Sequence, residues 1–576
     1  MSRARRLLCA LAAVAAALAL PAAASAHAVL LATYPSASGV LDVQPQQVRL
    51  TYSEAVEPRF AIVSVTNAAG RQQTLGPPQR SPADPDELDV PLRKLAQGWY
   101  LVFWRAISVD GHPVRGAFTF AIGPNPGPAP QFPIPSVSET AATPQLLAGR
   151  WVVFLSAMAA IGLFVLRTLV ARPLVPRVEG TRLRAVSIAF WISLAVALVA
   201  TPIYVLLATA QFALRSVFDV GALVPLMRVS QFGRGYLDLE LELLLFAAAA
   251  AVALWLDRPE RARRSIGAIL AELGALLAAG AALLAPGASG HAAQTAPRAL
   301  AIALDWLHLV AGSLWIGGLV GLLVLWGSLP AARRVAGLTV CVPRFSNVAF
   351  VSVLALIGSG IGAALLHLPT FSSLWQTSYG QALVAKISLL LVAMGLAALN
   401  LTRTRPRLQA SAIDPALGRA TTRTLRRLVG GEAVLVAAAL FAAAVLTSLP
   451  PPAKALATIG KPTATVGPGA VTQVVQQDGY RLEFHLQPNR AAVQNSFAVA
   501  VSRGGAPVRG ATVTATFTML DMEMGSQSYQ LAETSPGLYR RAVPALVMVG
   551  KWGLSFEVQP PGKPPVDVLL IDHANG

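Results

Sequence analysis

Two ionisable residues stand inside an apolar stretch that is long enough to cross a membrane. Residues 301–326 read AIALDWLHLVAGSLWIGGLVGLLVLW and contain Asp305 and His308. A bilayer core needs about 20 apolar residues in a helix, and residues three apart share one face of that helix. Ionisable groups at such depth usually mark a function. The alternative is an ordinary hydrogen bond between helices near the outer surface.

The start of the chain predicts a metal-binding amino terminus. Residues 1–26 have the basic start, the apolar run and the small-residue cleavage site of a signal peptide. Cleavage would make His27 the first residue, whose free α-amine and imidazole can together chelate one metal ion. Asp110 and His112 flank Gly111, which permits a tight turn between two predicted strands. Taken alone, His112 would be an ordinary loop histidine.

Methionines are concentrated near the other end of the chain. Met519, Met522 and Met524 lie in the run TMLDMEMGS, and Met548 lies in LVMVGKW. Thioether sulfur is a soft ligand that selects Cu(I), so these four residues form a candidate Cu(I) site. The alternative is that methionine fills the core. The acidic residues between the methionines argue against burial of the whole run.

Composition shows that most of the chain is a membrane protein. Of the 576 residues, 54% are hydrophobic and only 13% charged, and the mean hydropathy is +0.57; a soluble domain carries about 25% charge. Two cysteines, Cys9 in the signal peptide and Cys341, allow neither a disulfide framework nor a cysteine metal site in the mature chain.

Eight candidate membrane helices lie within residues 148–449. Their predicted spans are 148–171, 184–208, 235–256, 265–286, 300–326, 345–366, 381–402 and 429–449. Most arginines lie in the loops 171–184, 257–264, 328–344 and 402–428, whereas the other loops contain only Arg215, Arg228, Arg234 and Arg298. The positive-inside rule puts the arginine-rich loops in the cytoplasm and both ends of the chain outside. The net charge of +18 is therefore explained by arginines in the predicted cytoplasmic loops and does not indicate nucleic acid binding.

Two β-sandwiches are predicted around this membrane domain. Val48, Leu50 and Tyr52 alternate with polar residues, and residues 99–105 and 118–122 are rich in aromatic and β-branched types. Residues 27–123 are therefore expected to form the first sandwich. In the second, residues 469–576, the predicted strands are 480–486, 497–501, 512–517 and 552–558. Proline-bearing linkers, residues 124–147 and 450–468, join these domains to the membrane block.

A weak internal repeat relates the two halves of the membrane domain. The pattern at Trp151 and Ile161-Gly162-Leu163 returns at Trp306 and Ile316-Gly317-Gly318, and the segment 230–239 is similar to 377–386. The first helix aligns with the fifth and the third with the seventh. Four helices per half make this a parallel repeat, related by an axis along the membrane normal. Chance similarity between apolar segments is the alternative.

The amino-terminal segments HAVLLATYPSASGVL (27–41), LTYSEAVEPRF (50–60) and GWYLVFWRAISVDGHPVRGAFTFAI (98–122) resemble the copper-binding CopC domain. The resemblance implies a Cu(II) site formed by the amine and imidazole of His27 with Asp110 and His112, and gives Glu54 at most a supporting role. Imidazole and carboxylate ligands suit Cu(II). The methionine-rich Cu(I) site of some family members is expected to be absent from this domain, because no methionine occurs between His27 and Pro144.

Two further resemblances cover the rest of the chain. The motifs GHAA, DWLHLVAGSLWIGGL and TSYGQALVAK resemble the CopD membrane domain, which implies copper passage through the membrane. The candidate residues of the path are His291, Asp305, His308 and Lys386, although Lys386 could instead extend to the interface. The segment GLYRRAVPALVMVGKWGL and the methionine run resemble the YtkA-like domain that follows CopC and CopD in some bacterial proteins.

These observations predict a copper-handling transporter of the cytoplasmic membrane, which captures Cu(II) outside and passes copper inward. Its expected partners are copper ions, membrane lipid and a periplasmic copper chaperone or reductase. The absence of a GxxxxGK[ST] motif argues against ATP drive, and no enzyme activity is expected. Two alternatives remain: sequestration outside the membrane without transport, and a membrane electron carrier whose b-type haem is held by His308 and His367.

Overall fold

A computed structural model describes most of the chain after the predicted signal peptide. The described residues are 30–36, 39–52, 56, 58–107, 113–124, 143–229, 231–260, 263–289, 292, 295, 297–410, 415–449, 462–491, 493–520, 526–547 and 550–575. They form an amino-terminal β domain, a helical domain and a carboxyl-terminal β domain.

The amino-terminal domain is built from two four-stranded sheets. One has the strand order β1-β3-β6-β5 and the other β2-β8-β7-β4. In β3 the side chains of Val48, Leu50 and Tyr52 are buried in alternation, as the sequence predicts. Tyr52 packs edge-on against Trp104 of the opposite sheet at 5.8 Å between ring centroids. The strands are β1 Leu30–Tyr34, β2 Val40–Leu41, β3 Gln47–Tyr52, β4 Ile62–Asn67, β5 Gln79–Arg80, β6 Glu87–Pro91, β7 Gly98–Ile107 and β8 Pro113–Ile122.

The helical domain confirms the eight predicted membrane helices. Eight helices within the described residues are long and apolar enough to cross a bilayer: 144–174, 184–212, 232–256, 266–288, 298–328, 332–367, 378–410 and 418–446. The α-helices are α1 Pro144–Val165, α2 Arg184–Phe212, α3 Val220–Val229, α4 Gln231–Leu256, α5 Ile266–Ser289, α6 Arg298–Ser328, α7 Ala331–His367, α8 Ser373–Gln376, α9 Ser378–Leu399, α10 Arg405–Ala410 and α11 Pro415–Leu446. π-Helical turns continue α1 through Leu166–Ala171 and α9 through Asn400–Thr404.

The helices α1 and α6 are the central pair of this domain. Their most apolar windows are 78% and 61% buried, whereas no other spanning helix exceeds 39%. They meet at Gly162 and Gly317, where a Cβ on Gly162 would lie 2.7 Å from the Cα of Gly317. Glycine on both sides lets two helices approach backbone to backbone.

The tryptophans that the repeat aligns make the same contact in each half. Trp151 Nε1 donates to Ala437 O in α11, and Trp306 Nε1 donates to Gly280 O in α5, both at 2.8 Å. The residues directly before them differ: Arg150 in the first half and Asp305 in the second. The paired tryptophan contacts are those that a parallel repeat predicts, because the first helix of each half packs on the fourth helix of the other half.

A buried ion-pair network ties α1 to the segment after α4. The carboxylate of Asp257 accepts from Arg167 Nη1 and from Arg172 Nε, both at 2.8 Å, and the three side chains are at most 8% exposed. Two guanidinium groups and one carboxylate satisfy one another away from solvent, which a single buried charge could not do.

The carboxyl-terminal domain folds over one core as a continuous sheet. Its strand order is β10-β11-β12-β16-β15-β14-β17-β18-β9, with β13 beside β12. Because β15 pairs with both β14 and β16, the two faces of the predicted sandwich are joined. The four predicted strands are present as β11, β12, β14 and β17. The strands are β9 Ala464–Val466, β10 Val471–Gln477, β11 Tyr480–Gln487, β12 Asn495–Arg503, β13 Ala506–Pro507, β14 Thr512–Met519, β15 Gln527–Ser535, β16 Leu538–Val543, β17 Gly550–Gln559 and β18 Val566–Ala574.

Candidate functional site

The structure brings His308 and Lys386 together inside the helical domain. His308 lies on α6, Ser359 on α7 and Lys386 on α9. The Nδ1 atom of His308 is 3.0 Å from Ser359 Oγ, and its Nε2 atom is 3.4 Å from Lys386 Nζ. Three helices therefore supply one polar cluster, which we call the His308 cluster: His308, Ser359, Lys386 and Asp305.

The hydrogen bonds of Ser359 define the state of the His308 ring. Ser359 Oγ donates to Ala355 O at 2.6 Å, one turn back on α7. The hydroxyl proton is thus used, and Ser359 Oγ accepts from His308 Nδ1–H. The tautomer inferred from this network leaves a lone pair on Nε2. The Nε2 atom faces Lys386, and its lone pair is what a neutral imidazole offers to a metal ion.

Asp305 lies on the same face of α6, three residues before His308. It is close enough to Lys386 and to Tyr379 to interact electrostatically with both. Its Oδ2 atom also lies against α5, where a Cβ on Gly287 would be 2.7 Å away. The carboxylate, the imidazole and the ammonium group therefore lie in one region, in contact with α5, α7 and α9. His291, the fourth predicted residue of the path, lies outside the described residues.

His367 is engaged at a different place on α7. Its Nδ1 atom is 2.7 Å from Ala363 O and its Nε2 atom is 3.2 Å from Thr295 Oγ1. It follows Ser359 by eight residues, a rise of about 12 Å along a helix. His308 contacts Ser359, so the two imidazoles are held by different parts of α7. This arrangement does not support a haem bound between them.

The copper ligands implied for the amino-terminal domain, His27, Asp110 and His112, lie outside the described residues, as does Glu54. The strands that flank them are described. Leu30, at the start of β1, pairs with Tyr52, and Tyr52 packs on Trp104 of β7. Ile107 at the end of β7 pairs with Pro113 at the start of β8. The described residues that border the three ligands in the sequence thus lie at the same end of the sandwich.

The predicted methionine site is only partly within the described residues. Met519 ends β14, is 2% exposed and belongs to the core. Met522, Met524 and Met548 lie outside the described residues. Their flanking strands converge, because Met519 pairs with Trp552 and Leu520 N donates to Lys551 O at 2.9 Å. Across the chain as described, no group of three or more His, Cys, Asp or Glu side chains is arranged to hold a metal ion.

A further buried acid, Glu432, was not among the residues predicted from the sequence. It lies in α11 and is 3% exposed. Its Oε1 atom accepts from Trp315 Nε1 at 2.6 Å and its Oε2 atom accepts from Asn400 Nδ2 at 3.4 Å. The signal that could have identified it is a single acid within an otherwise apolar predicted span.

Family models match three segments of the chain in order. The CopC domain matches residues 30–123, copper resistance protein D matches residues 339–446, and the YtkA-like family matches residues 475–557. The match to copper resistance protein D covers α7, α9 and α11, which carry Ser359, Lys386 and Glu432.

Similar proteins are found for the whole chain and for its first domain. The copper transport protein CutJ of Bacillus subtilis is 27% identical over 545 residues, which is 92% of this chain and 93% of that protein. Protein YobA of Escherichia coli K12 is 37% identical over 98 residues, 17% of this chain and 79% of that protein. The crystal structure of CopC from Methylosinus trichosporium OB3b shares 30% identity with a TM-score of 0.16, covering 18% of this chain and 98% of that one.

The order of domains and the eight apolar helices define a multi-pass membrane protein that carries a β domain at each end. The chain belongs to the CopC–CopD family of copper transport and resistance proteins, as a fusion with a carboxyl-terminal YtkA-like domain.

Proposed function

We propose that this protein captures Cu(II) outside the cytoplasmic membrane and passes copper inward through the helical domain. The observation that carries the proposal is the His308 cluster, because polar side chains from three helices, among them the ionisable His308 and Lys386, meet where only apolar residues would be needed for packing. A relative that is similar along almost the whole chain is named a copper transport protein.

The orientation follows from charge and from the number of helices. Eight helices that could cross the membrane support an orientation with both β domains on one side, because the number is even. The positive-inside rule supports a cytoplasmic assignment for the arginine-rich loops. Both β domains are then extracytoplasmic, where copper would first be met.

The first domain captures the ion with His27, Asp110 and His112. An amine, two imidazoles and a carboxylate form a donor set that suits Cu(II). The common end of the sandwich at which the bordering residues lie supports this assignment. Leu30, which follows His27 by three residues in the sequence, is the described residue that borders this ligand.

The third domain holds Cu(I) with Met522, Met524 and Met548. Met519 is assigned to the core instead, because its side chain is buried beneath the strand pair. Thr518 and Ser526, which flank the methionine run in the sequence, are in contact, with 2.8 Å between Oγ1 and Oγ. Ala117 N of the first domain donates to Val547 O at 3.1 Å, so the residue before Met548 contacts the capturing domain. A periplasmic reductase or chaperone would supply the change of oxidation state.

The test measures cellular copper in a deletion strain complemented with variants of the full chain. Deletion is expected to lower copper content, and wild type to restore it. His308→Ala and Ser359→Ala are expected to fail. Ser388→Ala is the matched control, because its exposed hydroxyl donates to Val384 O of its own helix, at 2.9 Å. Unchanged copper content with increased copper sensitivity would show sequestration and contradict transport.

A further inference from the structure

Glu432 is a buried acid held by two neutral donors. We call Glu432, Trp315 and Asn400 the Glu432 site. The indole of Trp315 donates to Oε1 at 2.6 Å, and the Asn400 amide donates to Oε2 at 3.4 Å. Within the part of the chain that the structure describes, Glu432 forms no ion pair. A carboxylate within a membrane-spanning helix is costly and usually marks a function.

The charged and titratable groups of the helices packed around α11 are engaged elsewhere. On α1, Arg150 donates to Tyr204 and Thr447. Thr447 follows Glu432 by 15 residues, a rise of about 22 Å. Other groups on these helices that contact residues outside the Glu432 site include Arg167 with Asp257, Asp305 with Lys386 and Tyr379, His308 with Ser359 and Lys386, Arg334 with Leu329 O, Cys341 with Val170 O, Arg344 with Val340 O, His367 with Thr295, Arg405 with Asn347 and Arg426 with the Trp326 ring.

The Asn400 amide can serve either protonation state of Glu432. The Asn400 Oδ1 atom is buried and has no hydrogen-bond partner among the described residues. When Glu432 is ionised, Nδ2–H donates to Oε2. When Oε2 carries a proton, rotation of the amide by half a turn turns Oδ1 toward it, and Oε2–H donates to Oδ1. The oxygen and nitrogen of an amide are interchangeable in shape, so both states are satisfied without moving a helix.

The Glu432 site lies along the same interface as the His308 cluster. Trp315 follows His308 by seven residues on α6, which keeps both on nearly one face and separates them by about 10 Å. On α9, Lys386, Ala393 and Asn400 are also seven residues apart. Ala393 is fully buried, so this face of α9 points into the domain. Each polar site therefore takes a residue from α6 and one from the helix formed by α9 and its π-helical continuation, at successive positions along both.

We propose that Glu432 is a proton-binding site of the membrane domain, with Asn400 as the amide that accommodates the bound and the released proton. Binding forms an O–H bond at Oε2 and neutralises the carboxylate; release restores the charge and passes the proton to water at the cytoplasmic end. Entry of a copper cation at the His308 cluster favours release, because the added positive charge stabilises the carboxylate. This coupling to copper rests on the proposed function, whereas proton binding does not.

Infrared difference spectroscopy of the full chain in lipid tests proton binding without requiring transport. A carboxylic acid C=O band is expected to appear on acidification of the wild type and to be lost in Glu432→Gln. Glu272→Gln is the matched control, since Glu272 is also buried in a spanning helix but is paired with Arg264; it is expected to retain the band. An identical band in the wild type and Glu432→Gln would overturn the proposal.

Two further variants keep the test decisive. If Glu432→Gln does not fold, Glu432→Asp is expected to shift the band in frequency, and an unshifted band overturns the proposal. Asn400→Leu removes the amide and is expected to move the midpoint of the titration; an unchanged midpoint removes Asn400 from the site. Addition of copper is then expected to release protons into weak buffer from wild type but not from Glu432→Gln. Equal proton release from both contradicts coupling.

Discussion

Gly162 and Gly317 pack backbone against backbone at the centre of the helical domain. A Cβ on Gly317 would lie 2.6 Å from the carbonyl carbon of Gly162. These two glycines are equivalent in the internal repeat that the sequence predicts. Equivalent residues meet each other where a two-fold axis passes through an interface, so this is the contact expected at the axis of the predicted repeat.

Gly317→Ala is expected to destabilise the helical domain, because the added methyl group has no space at this contact. Overpacking typically costs about 1–3 kcal/mol. Gly327→Ala on the same helix is the matched control, since a Cβ there meets nothing within 4 Å. Thermal unfolding of the detergent-solubilised protein measures both. Equal melting temperatures for the two variants would contradict the close approach.

Asp257→Ala is expected to destabilise the protein strongly, since it leaves Arg167 and Arg172 buried without their carboxylate. Breaking a buried pair costs about 3–5 kcal/mol. The control is Asp219→Ala, which removes an exposed pair with Arg215 at 2.9 Å and is expected to cost no more than about 1 kcal/mol. The yield of monodisperse protein and its melting temperature distinguish them.

The carboxylate of Asp257 also determines how the stability of the protein is expected to depend on pH. Burial alone would raise the pKa of Asp257, but the hydrogen bonds and charges of Arg172 and Arg167 outweigh burial and lower it. A lowered pKa in the folded state contributes stability above the ordinary aspartate pKa, and that stability is lost as the pH falls through the folded value. Wild type is therefore expected to lose melting temperature in strong acid, below the ordinary aspartate range, more steeply than Asp257→Asn does. Parallel pH profiles would contradict this assignment.

Cu(II) binding by the mature amino terminus is expected to weaken on acidification. The α-amine has an ordinary pKa of about 7.7–8.0 and imidazole one of about 6.5, and both must be deprotonated to bind a metal. One extra alanine before His27 is expected to lower affinity by roughly tenfold or more, about 1.4 kcal/mol per factor of ten. Calorimetric titration of the full chain measures both effects. Equal affinity with and without the extra residue would exclude the amine as a ligand.

Met522→Leu combined with Met524→Leu is expected to weaken Cu(I) binding, because leucine keeps the volume and removes the sulfur. Met519→Leu is the matched control: its side chain lies in the core, so Cu(I) affinity is expected to be unchanged. Competition with a chromophoric Cu(I) chelator measures both. A loss of affinity in Met519→Leu alone would show that Met519, and not Met522 or Met524, supplies the sulfur ligand.

Local pattern was sufficient to predict most of the fold. Alternating burial identified β3, and uninterrupted apolar length identified the eight helices, because both signals are contained in a few consecutive residues. The closure of the last domain was not predictable in this way. It depends on β15 pairing with both β14 and β16, and pairing partners are chosen by contacts distant in sequence.

The polar cluster was predictable in part for the same reason. Asp305 and His308 share a face by their spacing alone. That His308 would meet Lys386, 78 residues later, and be oriented by Ser359 depends on which helices pack together. Glu432 was missed because its partners, Trp315 and Asn400, are neutral and lie on two other helices.

Arg150 and Asp305 occupy the same place in the two halves, each directly before the tryptophan that bonds to a neighbouring helix. Under the predicted repeat, these opposite charges at one equivalent position indicate different roles in the two halves. The first copy uses its guanidinium to fasten helices, and the second places a carboxylate beside an imidazole. A substitution at Arg150 is therefore expected to change helix packing, whereas a substitution at Asp305 is expected to change the chemistry of the His308 cluster.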